Sequence, residues 1–267
     1  MKVCHVTIQH GRFDQRIFHK ECAALRDAGH EVTLIAPGGD VDREVVDGIT
    51  VVRGPRLRRK RDFRKACRRV REIAGEINAD VYHLHDPSLF PFGFMAKRKL
   101  DCKVIFDSHE DYVGCALRRS WIPRFARRFF RLFVCWYERR AARKFDGFVT
   151  VYSATQERAE SVGCPVVTVR NYVPADRFPP QPASREEFAA RGNTILHIGA
   201  LSPARGDRMM IEAARILKDR GVDFEFLLVG LFRGSAEPQR KALLECIERH
   251  RVGDRVHFCP SSEEGPR

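Results

Sequence analysis

Asp107-Ser108-His109-Glu110-Asp111 closes the apolar run Val104-Ile105-Phe106 with five side chains that compete for hydrogen bonds. A buried strand that delivers a histidine and carboxylates to its carboxyl end reads as chemistry rather than packing. The plain alternative is a turn in which Asp107 or Asp111 caps nearby amides. Similar clusters recur along the chain. "HLHDP" ends another apolar stretch with His85 and Asp86, which either face the same cleft as His109 or form an Asp-Pro turn with an extended exit fixed by Pro87. In "QHGRFDQRIFHKE", Gly11 permits close backbone approach and the following helix start favours an anion. Asp14 there is a candidate N-cap. Arg16 and Lys20, one turn apart, are placed to hold an acidic or phosphorylated group, or else belong to a solvated helix face. "VRNY" contributes Asn171, and "GALSPARG" contributes Gly199, Ser202, Arg205 and Gly206. No segment reads GxGxxG, so a dinucleotide fold of the dehydrogenase kind is not supported.

The elements that must carry these clusters alternate from the start. "KVCHVTI", "EVTLIAP", "ITVVRGP", "ADVYHLHDP", "CKVIFDSHED", "FDGFVTVYSA" and "CPVVTVRNYV" read as strands. Helices are expected near 13–29, 61–77, before Cys102 and over 121–144, with Gly29 ending the first. Buried strands separated by helices imply a parallel sheet covered on both faces. Such sheets bind ligands beyond the carboxyl ends of their strands, where every cluster above falls. "VPADRFPPQPASREEFAARGN" holds four of the 14 prolines and reads as a linker. Afterwards the same grammar restarts with "TILHIGA", "DRMMIEAARILKDRG", "FEFLLVG", a helix over 237–251 and "RVHFCP". The reading is therefore α/β, with domains at 1–175 and 193–267 joined by a linker at 176–192. The second has about three strands against some seven in the first, so the second domain is expected to be incomplete.

Composition narrows the function. The 267 residues carry 48 Lys and Arg against 35 Asp and Glu, a formal +13, which favours anionic partners: phosphorylated small molecules, anionic lipid or nucleic acid. Nine cysteines without a CxxC pair read as reduced structural thiols of a cytoplasmic protein. The stretch "MKVCHVTIQHGR" does not have the long apolar stretch and small-residue cleavage site of a signal peptide, and no run approaches the ~18 apolar residues needed to span a bilayer.

Taken in order, "FDQRIFHKE…AGHEVTLIAP", "YHLHDPSLFPFG", "VIFDSHEDY", "VTVRNYVPADRF", "ILHIGALSPARG…MIEAARIL" and "FLLVG" resemble the family 4 glycosyltransferases, particularly bacterial surface-polysaccharide members. Each stretch is weak by itself, and their collinear order over essentially the whole chain carries the match. The resemblance implies a GT-B fold of two Rossmann-like, doubly wound parallel-sheet domains. It implies a nucleotide-diphosphate sugar as donor, retention of anomeric configuration, and no metal or other cofactor. The acceptor is then expected on the N-terminal domain and the donor on the C-terminal one. On this resemblance His109 is the catalytic candidate, hydrogen-bonding a hydroxyl of the transferred sugar as the transition state forms. Glu110 and Asp111 would orient its imidazole or bind acceptor hydroxyls. Gly11, Asp14, Arg16, Lys20, His85, Asp86 and Asn171 would line the acceptor side. Gly199, Ser202, Arg205, Gly206 and Gly230 would bind the donor. The family pattern has Arg after the first glycine of "GALSPARG" and Lys before the second; here Ala200 and Arg205 stand in those places, so one diphosphate cation is missing. The Glu-x7-Glu motif expected further on has no counterpart before Arg267. The chain is thus expected to be C-terminally truncated, with little transfer activity on its own.

Two basic tracts complete the reading. Residues 53–72 hold eleven Arg or Lys against two acids; residues 117–144 hold ten against one, with seven aromatics. In the second, Ile122, Phe125, Phe129, Leu132 or Phe133, and Trp136 recur at helical spacing, which fits either a core-packing stripe or docking on an anionic membrane surface beside a lipid-linked acceptor. The expected enzyme is then cytoplasmic and peripheral on the inner membrane face. The competing reading is a non-catalytic module, derived from a glycosyltransferase, that binds a membrane or another polyanion. No RNA-binding module is recognisable, which sets nucleic acid aside.

Overall fold

The computed structural model describes residues 1–56, 62–119, 122–173, 184–190, 192–230 and 236–259. The chain forms two compact units, Met1–Pro174 and Ala175–Arg267. Of the proposed linker, residues 176–183 and 191 lie outside the described residues, as do 57–61 and 120–121 of the basic tracts and the tail 260–267.

In the first unit, β1 (Lys2–Val6), β2 (Glu31–Pro37), β3 (Arg43–Val46), β4 (Ile49–Gly54), β5 (Val81–Leu84), β6 (Lys103–Ser108), β7 (Gly147–Thr150) and β8 (Val166–Thr168) form one sheet in the order β3-β4-β2-β1-β5-β6-β7-β8. All neighbours are parallel except β3 and β4. That hairpin was not anticipated, and it makes eight strands instead of seven. Its turn is Asp47-Gly48, both at positive φ, the two-residue geometry that matches strand twist.

The helices follow from apolar spacing. A π-helical turn (Ile17–Cys22) runs into α1 (Ala23–Asp27), and together they pack Ile17, Phe18 and Cys22 against Val32, Leu34, Ile49 and Val51 on one face of the sheet. The other face carries α2 (Phe63–Ile77), α3 (Phe90–Lys99), α4 (Tyr112–Cys115), α5 (Arg127–Ala142) and α6 (Ser153–Glu160). Its core joins Val70, Ile73, Phe90, Ala141 and Ala159 to the strand residues Val6, Tyr82, Leu84, Phe106 and Phe148. The helix expected over 121–144 begins later, because Pro123 is extended and α5 starts only after a 3-10 turn at Arg124–Ala126.

The apolar stripe of α5 is not core. Ile122 is buried, but Phe125 is 82% and Phe129 73% exposed, and Leu132, Phe133 and Trp136 are also exposed. The core-packing reading of that stripe is therefore wrong, because the sheet holds the opposite side of the helix through Ala141 and Ala142.

In the second unit, α7 (Arg185–Ala190) occupies part of the expected linker. Then β9 (Thr194–Ile198), α8 (Asp207–Asp219), β10 (Glu225–Val229), α9 (Ala236–His250) and β11 (Val256–Cys259) build a parallel sheet in the order β11-β10-β9. Ile211 and Ala214 of α8 and Leu243 and Ile247 of α9 share one core with Phe226, Leu228 and Val256. Among the described residues no helix is long and apolar enough to cross a membrane.

Candidate active site at the carboxyl ends of the first sheet

Asp107, one residue before the end of β6, is the centre of the site. It is fully buried, and the Arg16 guanidinium forks onto it: Nε reaches Oδ2 at 2.9 Å and Nη2 reaches Oδ1 at 3.1 Å. Arg16 also donates from Nη1 to the Val169 carbonyl at 2.9 Å, tying the first helix to the exit of β8. Thus Arg16 is buried and committed, and it does not face a cleft as expected. Its helical spacing with Lys20 was visible, but its partner lies 91 residues away. Lys20 is exposed and donates to Asn171 Oδ1 and to the Tyr172 carbonyl, the latter at 2.6 Å. The fold therefore does bring Lys20 and Asn171 together.

His109 is partly buried. Its Nε2 lies 2.9 Å from Asp107 Oδ2 and 3.1 Å from Nδ1 of His85. Nε2 of His85 in turn lies 2.9 Å from Nδ1 of His5, so three imidazoles are linked in series from the strand end into the interior. Asp107, and not Glu110 or Asp111, orients the His109 ring. Glu110 is exposed and lies 3.7 Å from Arg119, while Asp111 caps α4 at the Gly114 amide and pairs with Arg158 at 2.8 Å. Arg158 is also held by buried Glu138 at 2.6 Å, an anchor the sequence reading did not find.

Asp86 behaves as an anchor. Buried at the end of β5, it accepts from Thr7 Oγ1 at 2.9 Å and from the Ile8 amide at 2.7 Å, fixing the loop after β1. Asp14 caps the amides of Arg16 and Ile17 and sits 3.4 Å from His10, whose ring stacks obliquely 5.0 Å from that of His109. Gly11 is open: a Cβ there would meet nothing within 4 Å.

Burial and pairing set the charges. Burial opposes ionisation of Asp107, but hydrogen bonds from His109, His85 and Glu21 hold its carboxyl well below the usual range. Glu21 is pushed the other way, to about 10, by burial and by the charge of Asp107. One buried arginine thus serves an ionised Asp107 and a protonated Glu21. Burial lowers His85, takes His83 down to about 3, and with its two histidine neighbours lowers His5 further. All three buried imidazoles are neutral at pH 7. His10 is raised by its bond to Asp14.

The sequence reading missed His5, His83 and Glu21. The signal was period-two alternation: His5 and His83 are in register on β1 and β5, and His85 follows two residues on.

The donor-side residues belong to the second unit. Gly199 follows β9 with φ +148, and its amide donates to the Val229 carbonyl at 2.9 Å. Gly230 follows β10, and a Cβ there would fall 1.8 Å from the Gly199 carbonyl oxygen. Ser202 accepts from the Arg205 amide at 2.9 Å through its carbonyl, and Gly206, at φ +79, starts α8. Arg205 is exposed, and no carboxylate among the described residues pairs with it.

Comparison with known proteins agrees with this architecture. Residues 15–177 match the model of Glycosyltransferase Family 4. The chain is 26% identical over 225 residues to the phosphatidyl-myo-inositol mannosyltransferase of Mycolicibacterium smegmatis, covering 81% of this chain and 54% of that protein. It is 28% identical over 124 residues to the putative colanic acid biosynthesis glycosyltransferase WcaL of Escherichia coli, covering 45% of this chain and 29% of that one. The chain thus spans about half or less of the curated relatives it matches. Among solved structures, Anabaena HepE in complex with UDP and glucose superposes with a TM-score of 0.63 at 17% identity, covering 98% of this chain and 69% of HepE. The fold is GT-B-like α/β, with one large and one small parallel sheet, and the chain belongs to glycosyltransferase family 4.

Proposed function

We propose that the chain serves a retaining glycosyltransferase that moves a hexose from a nucleotide-diphosphate sugar to a glycan or lipid-linked acceptor, without a metal in the transfer step. The observation that carries this reading is His109, held at the end of β6 by the buried Asp107. Both of its ring contacts are at Nε2. Nδ1 is left for a sugar hydroxyl, a contact worth most where charge develops. HepE binds UDP and glucose, which supports a nucleotide-sugar donor. The exposed Arg205 and the start of α8 offer that donor's diphosphate one guanidinium and a set of backbone amides. With Ala200 in place of a second cation, turnover by these 267 residues is expected to be weak.

The exposed face of α5 supports a membrane-bound acceptor. Phe125, Phe129, Leu132, Phe133 and Trp136 stand in solvent, flanked by arginines, which suits an anionic leaflet on the cytoplasmic side. Each engaged cation contributes about 1 kcal/mol there. Beside α5 a cavity of about 190 Å³ is lined by Phe90, Phe106, Tyr112, Phe130, Tyr137 and Arg119, among others, and suits the first carbons of a lipid chain.

The test is release of nucleoside diphosphate from UDP- and GDP-hexoses in the presence of bacterial lipid extract. Slow, extract-dependent release that falls about 10²–10³-fold in His109→Ala is expected, as for loss of one preorganised donor. Equal release by that variant would remove His109 from the reaction. Salt-sensitive vesicle binding with no release from any donor would favour the non-catalytic, membrane-binding reading.

A further inference from the structure

Beneath the strand ends, three buried histidines and a carboxylate converge, and the contact between His5 Nδ1 and His85 Nε2 at 2.9 Å leaves other ring nitrogens unpaired. His5 and His83 are in register on adjacent strands, with ring centroids 4.7 Å apart. Glu21 comes from the π-helical turn above, 3.9 Å from His5 Nδ1 and 3.8 Å from His85 Nε2. One ligand atom from each of the four groups lies within 4.8 Å of every other. Nε2 of His5 and Nε2 of His83 are buried with no hydrogen-bond partner among the described residues, and Glu21 is left to share Arg16 and Asp107, which already bond each other. Arg16 Nε lies 2.8 Å from Glu21 Oε1 as well, but it donates to Asp107 Oδ2 and is shared between the two carboxylates. Native folds pair such atoms, and a bound ion is one of the ordinary ways.

We propose that His5, His83, His85 and Glu21 form a site for a divalent transition-metal ion of the zinc type. Three imidazoles and one carboxylate suit zinc or cobalt, whereas magnesium and calcium prefer oxygen alone. Tetrahedral bonds of about 2.0–2.1 Å place neighbouring ligand atoms roughly 3.4 Å apart. To reach that value the Glu21 contacts, at 3.9 and 3.8 Å, close slightly and the 2.9 Å His5–His85 contact opens as side chains rotate, and there is room for it: His5, Glu21 and His83 border a cavity of about 330 Å³. Val3, Leu25, Val81 and Ile105 are among its apolar lining residues, and His30 also borders it. Outer support is in place as well. Nδ1 of His85 lies 3.6 Å from Asp107, the kind of carboxylate backing that orients a ligating imidazole. The ion ties β1, β5 and the first helix together, and takes no part in sugar transfer. The site is independent of the glycosyltransferase reading and stands or falls separately.

The test uses the full chain without an affinity tag, stripped with chelator and titrated with Co²⁺, followed by Zn²⁺ competition. One equivalent of Co²⁺ with the visible absorption of a four-coordinate nitrogen and oxygen site, displaced by Zn²⁺, is expected. His83→Gln and Glu21→Gln should each weaken binding ~100-fold or more while far-UV circular dichroism stays that of the folded chain. His250→Gln, at a histidine on α9, should change nothing. Absence of binding, the intense near-ultraviolet band of cysteine coordination, or unchanged affinity in whichever of the two site variants folds would overturn the proposal.

Discussion

At the strand ends of the first unit, Arg16, Asp107, His109 and His85 are bonded to one another. In the second, the loop after β9 is held by backbone hydrogen bonds and the buried Leu201, and its cation, Arg205, is exposed. The difference teaches where rigidity comes from. Where charges are buried, each must be paired, so the first site is built by the fold before any ligand arrives. Where glycine permits close approach, as Gly230 does against Gly199, the backbone is fixed while the side chain waits for its partner.

The largest expected effect breaks the first half of that contrast. Asp107→Ala removes the ionised partner of the buried Arg16 guanidinium, leaving it Glu21 and the Val169 carbonyl, and should cost about 3–5 kcal/mol in urea unfolding. Arg205→Ala should leave unfolding within about 0.5 kcal/mol of the parent. Similar losses in both would erase the distinction between the units.

Glu21 sharpens it. Its folded-state value, raised to about 10 from an ordinary 4.5, means that its contribution to stability is complete below pH 4.5 and is lost as pH rises toward 10. Glu21→Gln mimics the neutral form. In chelator, the variant should therefore gain on the parent by about 1 kcal/mol per pH unit between pH 5 and 8, read as the difference in unfolding midpoints. A difference that is flat with pH would mean that Glu21 is ionised in the fold.

Gly230→Ala asks the same question of the second unit, since its Cβ would collide with the Gly199 carbonyl oxygen. A loss of about 1–3 kcal/mol is expected, confined to the second unit in hydrogen exchange. The smallest effect on stability belongs to α5. Phe129→Asp with Phe133→Asp should change unfolding by less than about 0.5 kcal/mol, yet abolish sedimentation with anionic vesicles. Retained sedimentation would assign the exposed face to something other than lipid.

Much of this was legible in the sequence, and what was missed has physical causes. Strands such as Val104–Phe106 announce themselves because both faces of a parallel sheet are buried, and the clusters at their ends follow from strand direction. The β3 hairpin is four residues of ordinary polarity, marked only by Asp47-Gly48. Helix α6 is almost wholly polar and hides behind the strand before it. The partners of Arg16 were out of reach because a 91-residue separation leaves no local trace. Periodicity likewise located the α5 stripe but could not say which side the sheet would hold, since the alanines that pack are less conspicuous than the aromatics that do not.

The central claim is that the second unit presents Arg205 to a nucleotide diphosphate while the first unit carries the catalytic histidine. The most direct measurement is calorimetric titration of the chain with UDP and GDP, repeated for Arg205→Ala and His109→Ala. Binding of one of them, weakened about 10-fold or more by Arg205→Ala, as expected for a lost charged hydrogen bond, and unaffected by His109→Ala, is the predicted result. Binding of neither nucleotide, or binding indifferent to Arg205, would contradict it.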